Sequence, residues 1–168
     1  MELATNTKMI PRVMFYVPGG GFQLESYMLI NKLHGVELIL ILPKDSVLSP
    51  WMNRYEIHRV DALGTRANSS LLKVGWRSVR NFLKSLLLIR KIRPDFLVCI
   101  GSSICIPGFC AARLAGVRRV YIESVARTDS HSSTGSFVKR FGLASRYYVQ
   151  WPGQADDRGE RLYRGTVL

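Results

Sequence analysis

Short apolar runs alternate along this chain with segments whose apolar residues recur every three or four positions. The runs lack a regular polar alternation, which is typical of parallel strands that are covered on both faces. The predicted strands are 13–17, 36–42, 57–60, 96–100, 120–122 and 147–149. The three-to-four spacing in the other segments predicts helices. These cover about 24–33, 72 to just before Pro94, 107–114 and 137–143.

The alternation of strands and helices predicts an α/β fold with a Rossmann-like, mostly parallel sheet and helices on both faces. A length of 168 residues suits a single domain, in which 153–168 form a C-terminal tail. A second domain of ordinary size is not expected at that length. Because ligands of such sheets bind beyond the carboxyl ends of the strands, the loops at those ends are the first places to look for function.

Three loops at predicted strand ends have an unusual composition. They are the first glycine loop (19–22), the second glycine loop (101–105) and the glutamate loop (123–127). Glycine lets a backbone approach a ligand closely, and a following helix offers free N–H groups to an anion. We therefore predict a diphosphate site, and the alternative for the first loop is a tight turn without a ligand. The predicted binding residues are Gly19, Gly20, Gly21, Gly101, Ser102, Ser103, Ser124, Arg127, Ser133 and Thr134.

The common nucleotide-binding patterns are absent from this sequence. The dinucleotide pattern G-x-G-x-x-G fails because its last glycine position is Leu24, and no phosphate-binding P-loop pattern occurs. Among polar residues, Glu123 is the candidate catalytic group, since a carboxylate there can accept a hydrogen bond from a ligand hydroxyl or act as a base. The alternative for Glu123 is a local pair with Arg127. Residues 133–135 have a second interpretation as the cap of the next helix.

The charge of the chain is strongly positive, with 24 Lys and Arg against 12 Asp and Glu and a formal net charge of +12. No acidic residue lies between Asp61 and Asp95, where the basic residues are Arg66, Lys73, Arg77, Arg80, Lys84, Arg90, Lys91 and Arg93. This excess favours an anionic partner: nucleic acid, anionic lipid or a phosphorylated substrate. A nucleic acid is disfavoured because no recognised binding motif and no basic segment interleaved with aromatic residues is present.

The basic residues of this segment follow an apolar stripe at helical spacing. The stripe consists of Leu72, Trp76, Val79, Leu83 and Leu86. The basic residues Lys73, Arg77, Arg80 and Lys84 come one residue later each time, about 100° around the helix. As part of an α/β domain, the stripe is predicted to face inward while the basic side chains are solvated. Such a basic amphipathic helix also suits an anionic membrane surface.

No membrane-spanning helix or signal peptide is expected. The longest apolar candidate, 86–89, is far shorter than the roughly 18–20 residues that a bilayer requires, and 1–8 lacks an apolar segment. The three cysteines are therefore expected to be reduced and mostly buried. The three histidines are scattered, so neither a metal site nor a cofactor is predicted.

Five segments together resemble one protein family. Residues 121–127 read Y-I-E-S-V-A-R, 133–135 read S-T-G and 148–152 read Y-V-Q-W-P, with R-P-D at 93–95 and Y-x-G at 163–165 in support. This combination resembles the accessory subunits of two-part UDP-sugar glycosyltransferases, which act in dolichol-linked chitobiose synthesis and in bacterial capsule and exopolysaccharide assembly. The resemblance runs from about residue 12 to the C-terminus, and 44–71 are not matched.

The resemblance implies the N-terminal half of a GT-B glycosyltransferase, which is active only in complex with a small nucleotide-sugar-binding catalytic subunit. Such a chain binds a polyprenyl-diphosphate-linked sugar at the cytoplasmic face of a membrane, here peripherally through the basic helix. Trp151, Tyr163 and the tail are then candidates for contact with the partner. The family pattern G-x-G-G-H-x-x-E is matched by Gly20, Gly21 and Glu25, but Phe22 replaces its histidine.

Phenylalanine at position 22 can neither take a proton nor donate a hydrogen bond to phosphate. An acid–base role of this loop is therefore in question, whereas phosphate binding by its backbone is unaffected. Two other functions remain open at this point: a non-enzymatic membrane scaffold for the partner, and an unrelated nucleotide-binding α/β module.

Overall fold

The computed structural model describes residues 10–63 and 70–168. The predictions on 1–8 and on Arg66 lie outside these residues. The strands are β1 (Arg12–Tyr16), β2 (Glu37–Pro43), β3 (Glu56–Val60), β4 (Phe96–Ile100), β5 (Arg118–Ile122), β6 (Arg146–Val149) and β7 (Leu162–Tyr163). The helices are α1 (Gly21–Lys32), α2 (Leu71–Ile92), α3 (Cys105–Leu114) and α4 (Ser133–Arg140). Two 3₁₀ turns cover Pro50–Arg54 and Pro152–Gln154.

The seven strands form one sheet in the order β3-β2-β1-β4-β5-β6-β7. Every neighbouring pair is parallel, which confirms the predicted Rossmann-like α/β fold. The chain winds outward from β1 to β3, then crosses back through α2 to β4 on the other side of β1. This reversal creates a switch point between β1 and β4, where ligands of such sheets collect.

Helices cover both faces of the sheet. Met14 and Tyr16 point to one face, where they pack with α2, α3 and α4. Val13 and Phe15 point to the other, where Ile30 of α1 covers them. The alternation along β1 follows from the period of two in a strand, and burial on both faces explains why these runs contain few polar residues.

The predicted orientation of α2 is wrong. Its apolar stripe faces solvent, with Leu72, Trp76, Val79 and Leu83 between 52% and 86% exposed. Leu86 is half-buried against the core, whereas Leu87 is exposed and continues the stripe. The helix instead packs through Asn81, Ser85, Ile89 and Ile92, which are all buried.

Two polar residues of this packed face have partners in the sheet layer. Ser85 Oγ lies 2.9 Å from the hydroxyl of Tyr16 in β1. The side chain of Asn81 exchanges two hydrogen bonds, of 2.9 and 2.8 Å, with the backbone of Asp61. Because both side chains have hydrogen-bond partners, burying this polar side of α2 costs little. The helix can therefore pack through it and leave its apolar stripe outside.

The start of α4 and the number of strands also differ from the prediction. Helix α4 begins at Ser133, four residues before the predicted start, and its N-cap is Ser132, whose Oγ accepts a hydrogen bond from Gly135 N at 2.9 Å. Ser133 and Thr134 are therefore the first helical residues and not the cap. Strand β7 was not predicted, and it pairs Leu162 with Tyr148 of β6.

Within 10–63 and 70–168, no helix combines the length and the hydropathy that crossing a bilayer requires.

Candidate functional site

The three predicted loops lie at one edge of the sheet. They follow β1, β4 and β5, which are neighbours in the sheet and run parallel. Backbone hydrogen bonds tie the first residues of two of these loops to adjacent strands. Gly101 N donates to Ile122 O at 2.9 Å, and Glu123 N donates to Tyr148 O at 2.8 Å. The structure thus brings the two glycine loops and the glutamate loop into one region around the switch point.

The first glycine loop presents open backbone. At Gly19, Gly20 and Gly21 no atom lies within 4 Å of the position that a Cβ would occupy. Gly20 has a φ of 68°, a left-handed conformation that favours glycine, and it is the N-cap residue of α1. A phosphate can therefore approach this backbone and the first N–H groups of α1 without meeting a side chain.

Phe22 joins the two glycine loops through an apolar contact. A Cβ at Gly101 would overlap the Phe22 ring, and Gly101 also has a φ of 67°. Any side chain at position 101 is therefore excluded by both the ring and the backbone conformation. The residue that replaces the family histidine thus packs against the second loop and offers no polar group to a ligand.

Glu25 is a buried carboxylate that connects α1 to the glutamate loop. Its Oε1 accepts a hydrogen bond from Ser124 Oγ at 2.6 Å, and its Oε2 accepts from Val125 N at 3.0 Å. Gln150 Nε2 donates to the same Oε2 at 2.8 Å. Three donors thus satisfy the charge, which explains how a glutamate is accommodated at 5% exposure.

Glu123 lies beneath the start of α4 and has no exposed surface. Its Oε2 accepts hydrogen bonds from the Tyr147 hydroxyl at 2.6 Å and from Ser132 N at 3.2 Å. Burial and this contact raise the pKa of Tyr147 far above its usual value, so its hydroxyl stays protonated and donates. Within the residues that the structure describes, Glu123 does not form the local pair with Arg127 that was the alternative. Its carboxylate instead supports the start of α4.

The other predicted binding residues differ in exposure. Arg127, Ser103 and Ser133 are exposed, whereas Ser102 and Thr134 are half-buried. Ser124 is buried, and its Oγ donates a hydrogen bond to Glu25 and accepts one from Ala126 N at 3.3 Å. Arg127 is therefore the cation of the glutamate loop that a ligand can reach.

The residues predicted to contact a partner lie next to this edge and along the sheet border. The indole Nε1 of Trp151 donates to Val125 O at 2.7 Å, while the side chain remains 37% exposed. Tyr163 lies in the border strand β7 and is half-buried. A groove of about 620 Å³ opens near this strand, between α4 and 159–162.

The basic face of α2 is engaged with Asp61, which follows β3. Arg80 Nε binds Asp61 Oδ2, while Lys44 Nζ lies 2.9 Å and Lys84 Nζ 3.9 Å from its carboxylate oxygens. Arg77 donates to Ala62 O at 3.3 Å, whereas Lys73 is exposed near the start of the helix. The expectation of a freely solvated basic face therefore needs correction, although three cations around one carboxylate leave a local positive charge.

The Asp61 cluster predicts a pH-dependent contribution to stability. Burial of Asp61 favours its neutral form, but Arg80, Lys44 and Lys84 outweigh burial and lower the pKa of Asp61 to about 2. A lowered pKa stabilises the fold above the unfolded pKa of about 4, and this contribution is lost as the pH falls toward 2. Asp61→Asn is expected to reduce the unfolding free energy by about 1–2 kcal/mol at pH 6, with solvent screening allowed for.

Denaturant titrations at several pH values measure this effect. The difference between wild type and Asp61→Asn should shrink between pH 4 and pH 2. Glu37→Gln is a suitable control, because Glu37 forms a half-exposed pair with Arg12 and exposed pairs contribute little. A difference for Asp61→Asn that stays constant over this range would contradict the ionic role of Asp61.

Sequence reasoning missed several residues of this region. Glu25 entered only as part of a family pattern, and Gln150 and Gln154 were not recognised as functional candidates. All three are buried polar residues near strand or helix ends at the carboxyl edge. A buried position for a charged or amide side chain is the relevant signal, and it becomes visible only when the neighbouring loops are in place.

Comparison with known proteins identifies the fold and relatives of this chain. Residues 25–167 match the family model described as "Oligosaccharide biosynthesis protein Alg14 like". The UDP-N-acetylglucosamine transferase subunit ALG14 of Homo sapiens is 26% identical over 147 residues, which cover 84% of this chain and 65% of the human protein. The subunit of Yarrowia lipolytica is 30% identical over 97 residues, 54% of this chain and 44% of that protein. The chain thus matches less than two thirds of the length of these relatives.

Solved structures give the same fold. The GT-B glycosyltransferase MurG of Acinetobacter baumannii superposes with a TM-score of 0.75 at 16% identity, over 94% of this chain and 46% of MurG. A UDP-N-acetylglucosamine 2-epimerase superposes with a TM-score of 0.66 at 10% identity, over 93% of this chain and 48% of that chain. The family match over residues 25–167 confirms the predicted family resemblance, and these structures confirm the GT-B-like, Rossmann-like fold.

Proposed function

Since the chain belongs to the family of Alg14-like oligosaccharide biosynthesis proteins, we propose that it is the acceptor-side subunit of a two-part glycosyltransferase. In this function it binds a polyprenyl-diphosphate-linked sugar at a membrane surface and recruits a small subunit that binds the UDP-sugar. Transfer of the sugar then takes place only in the complex.

The meeting of the two glycine loops and the glutamate loop at one sheet edge carries this proposal. Open backbone at Gly19–Gly21 and the exposed guanidinium of Arg127 are complementary to a diphosphate. The chain also superposes on 46% of MurG, which supports a lobe whose cleft is completed by a second lobe. Both facts support a binding half that is completed by a partner.

The side chains at this edge suit binding and orientation better than proton transfer. Phe22 contributes no polar atom, and the carboxylate of Glu123 is committed to Tyr147 and Ser132. We therefore assign to Glu123 the support of α4 and of its own loop. Arg127 and the glycine backbone hold the diphosphate and so place the acceptor sugar at the opening toward the partner.

Helix α2 is the proposed membrane contact. It exposes an apolar stripe along its length, while Lys73, Arg77, Arg80 and Lys84 line one flank. An apolar stripe beside cations is complementary to a bilayer with anionic headgroups, because apolar side chains enter the interface and cations stay at headgroup level. The outward stripe supports this role more strongly than the inward packing that the sequence predicted.

Trp151, Tyr163 and the tail are the proposed contacts with the UDP-sugar-binding subunit. The indole of Trp151 binds the glutamate loop and is partly exposed. Leu162 borders the groove next to α4, and Tyr163 is the next residue of β7. A partner on this side of the sheet is close to the acceptor loops, as a shared cleft requires.

A transferase assay of the reconstituted pair tests the function. The chain alone should show no turnover, and the pair should transfer sugar to a polyprenyl-diphosphate-linked acceptor. Arg127→Ala is expected to raise the KM for the acceptor about 10-fold or more, since a charge-assisted contact to phosphate contributes roughly 1.5–3 kcal/mol. Arg118→Ala at the opposite edge is the matched control and should leave the KM unchanged.

A scaffold that only brings the partner to the membrane is the second candidate, and the apolar Phe22 favours it. In that case Arg127→Ala leaves both KM and kcat unchanged, although the pair still needs both chains. Turnover by the isolated chain would contradict the two-part enzyme altogether.

A further inference from the structure

Three side chains from the segment that follows β6 bind alternate carbonyl groups of the glutamate loop. Gln150 Nε2 donates to Glu123 O at 2.9 Å, and Trp151 Nε1 donates to Val125 O at 2.7 Å. Gln154 Nε2 donates to Arg127 O at 2.6 Å. The segment thus contacts the loop as a neighbouring strand would, but with side-chain N–H groups in place of backbone N–H groups.

The N–H groups of the same loop are also bound. Val125 N donates to Glu25, Ala126 N to Ser124 Oγ at 3.3 Å, and Arg127 N to Ser124 O at 3.0 Å. A five-residue loop without helix or strand therefore has its backbone held from both sides. Backbone groups that are bound in this way cannot rearrange without the loss of several hydrogen bonds.

The three donors are suited to a fixed geometry. Gln150 and Gln154 are 1% and 6% exposed, so water does not compete for their amides. Gln150 is itself held by Glu25 and, through its Oε1, by Val167 N of the tail at 2.9 Å. The side chain of Arg127 points from this fixed backbone into solvent, where it is exposed.

We propose that Gln150, Trp151 and Gln154 are positioning residues that hold the glutamate loop and thereby aim Arg127 at the diphosphate of the acceptor. This inference rests on the proposed function for its ligand, whereas the restraint on the loop stands by itself. A pre-organised loop binds without paying for its own ordering at the moment of binding, so loss of the restraint weakens binding of the anion.

Trp151→Phe and Gln154→Met test the restraint in the full-length chain without a partner. Each variant removes an N–H donor and retains a side chain of similar bulk. Hydrogen–deuterium exchange of the amides of 125–127 should become at least 10-fold faster in both, while the amides of β1 and β2 keep their rates. Trp51→Phe is the matched control, since Trp51 lies between β2 and β3 in the chain, packs beside Tyr27 and Tyr55, and should leave the loop unchanged.

Binding of inorganic pyrophosphate, measured by calorimetry, tests whether the restraint orients Arg127 toward the diphosphate. The two variants should bind this probe about 10-fold more weakly than wild type, and Trp51→Phe should bind it equally well. Unchanged exchange in 125–127, or faster exchange across the whole chain, would overturn the restraint.

The two readouts separate the inference from the function on which it rests. Faster exchange with unchanged pyrophosphate affinity would overturn the link to Arg127. Wild type that binds no pyrophosphate would instead overturn the proposed anion site, and the exchange rates would still decide whether the segment restrains the loop.

Discussion

Trp76→Glu combined with Leu83→Glu is expected to reduce binding to phosphatidylglycerol-containing vesicles at least 100-fold. Both side chains belong to the outward stripe of α2, and each contributes roughly 1.5–3 kcal/mol when it is buried in the membrane interface. The new carboxylates are also repelled by the anionic surface. Because neither side chain is part of the core, the unfolding free energy should change by less than about 0.5 kcal/mol. Vesicle sedimentation and urea denaturation measure the two effects.

A control must separate the stripe from the overall charge. Ile10→Glu with Leu114→Glu changes the charge by the same amount at two exposed apolar residues that are outside α2. This variant should retain most of the vesicle binding. Equal losses in the two double variants would mean that net charge alone drives binding, and the membrane role of α2 would be abandoned. Lys73→Glu is the cleanest single test of the basic flank, since Arg80 and Lys84 also hold Asp61.

Glu25→Ala is expected to lower the unfolding free energy by about 3–5 kcal/mol. The substitution leaves Ser124 Oγ, Val125 N and Gln150 Nε2 without their acceptor in a buried region, and each unsatisfied donor costs roughly 1–3 kcal/mol. Glu25→Gln should cost only about 1 kcal/mol, since its oxygen can serve Val125 and Gln150 while the Ser124 hydroxyl turns to accept from its amide. Denaturant titration of both variants measures the difference.

Two further variants keep this prediction testable if Glu25→Ala does not fold. Ser124→Ala removes a single donor and should cost about 1–2 kcal/mol, between the two Glu25 variants. Glu56→Ala, at a carboxylate that is exposed beside His58, should be close to neutral. If Glu25→Gln were as unstable as Glu25→Ala, the negative charge itself and not the hydrogen-bond geometry would be the stabilising feature.

The strands were predictable because burial on both faces requires an uninterrupted run of apolar residues. Runs such as 96–100 contain only apolar residues, and β4 covers the same five residues. Strand β7 has no such run, since it is only two residues long and is defined by its pairing with β6. The early start of α4 was missed because its first turn contains Ser133 and Thr134, and polar residues there follow from the cap at Ser132.

The meeting of the three loops was predictable from chain order, since loops after neighbouring parallel strands must share an edge. The orientation of α2 was not. Helical periodicity locates an apolar stripe but does not say whether that stripe is the packed side, and here Asn81 and Ser85 pack inward because Asp61 and Tyr16 lie opposite them. The contacts of Glu25 with residues about 100 and 125 positions later were equally hidden, because long-range polar pairs leave no local pattern.

The length of α2 has a geometric consequence for the proposed complex. Its 22 residues extend about 33 Å, roughly twice the length of a five-residue strand, and as a crossover helix it runs back along the strands. If this helix lies flat on a bilayer, the strands lie nearly in the plane of the membrane as well. The mouth formed by the glycine loops then opens sideways along the lipid surface. The second subunit would accordingly stand beside this one on the same leaflet, and not above it.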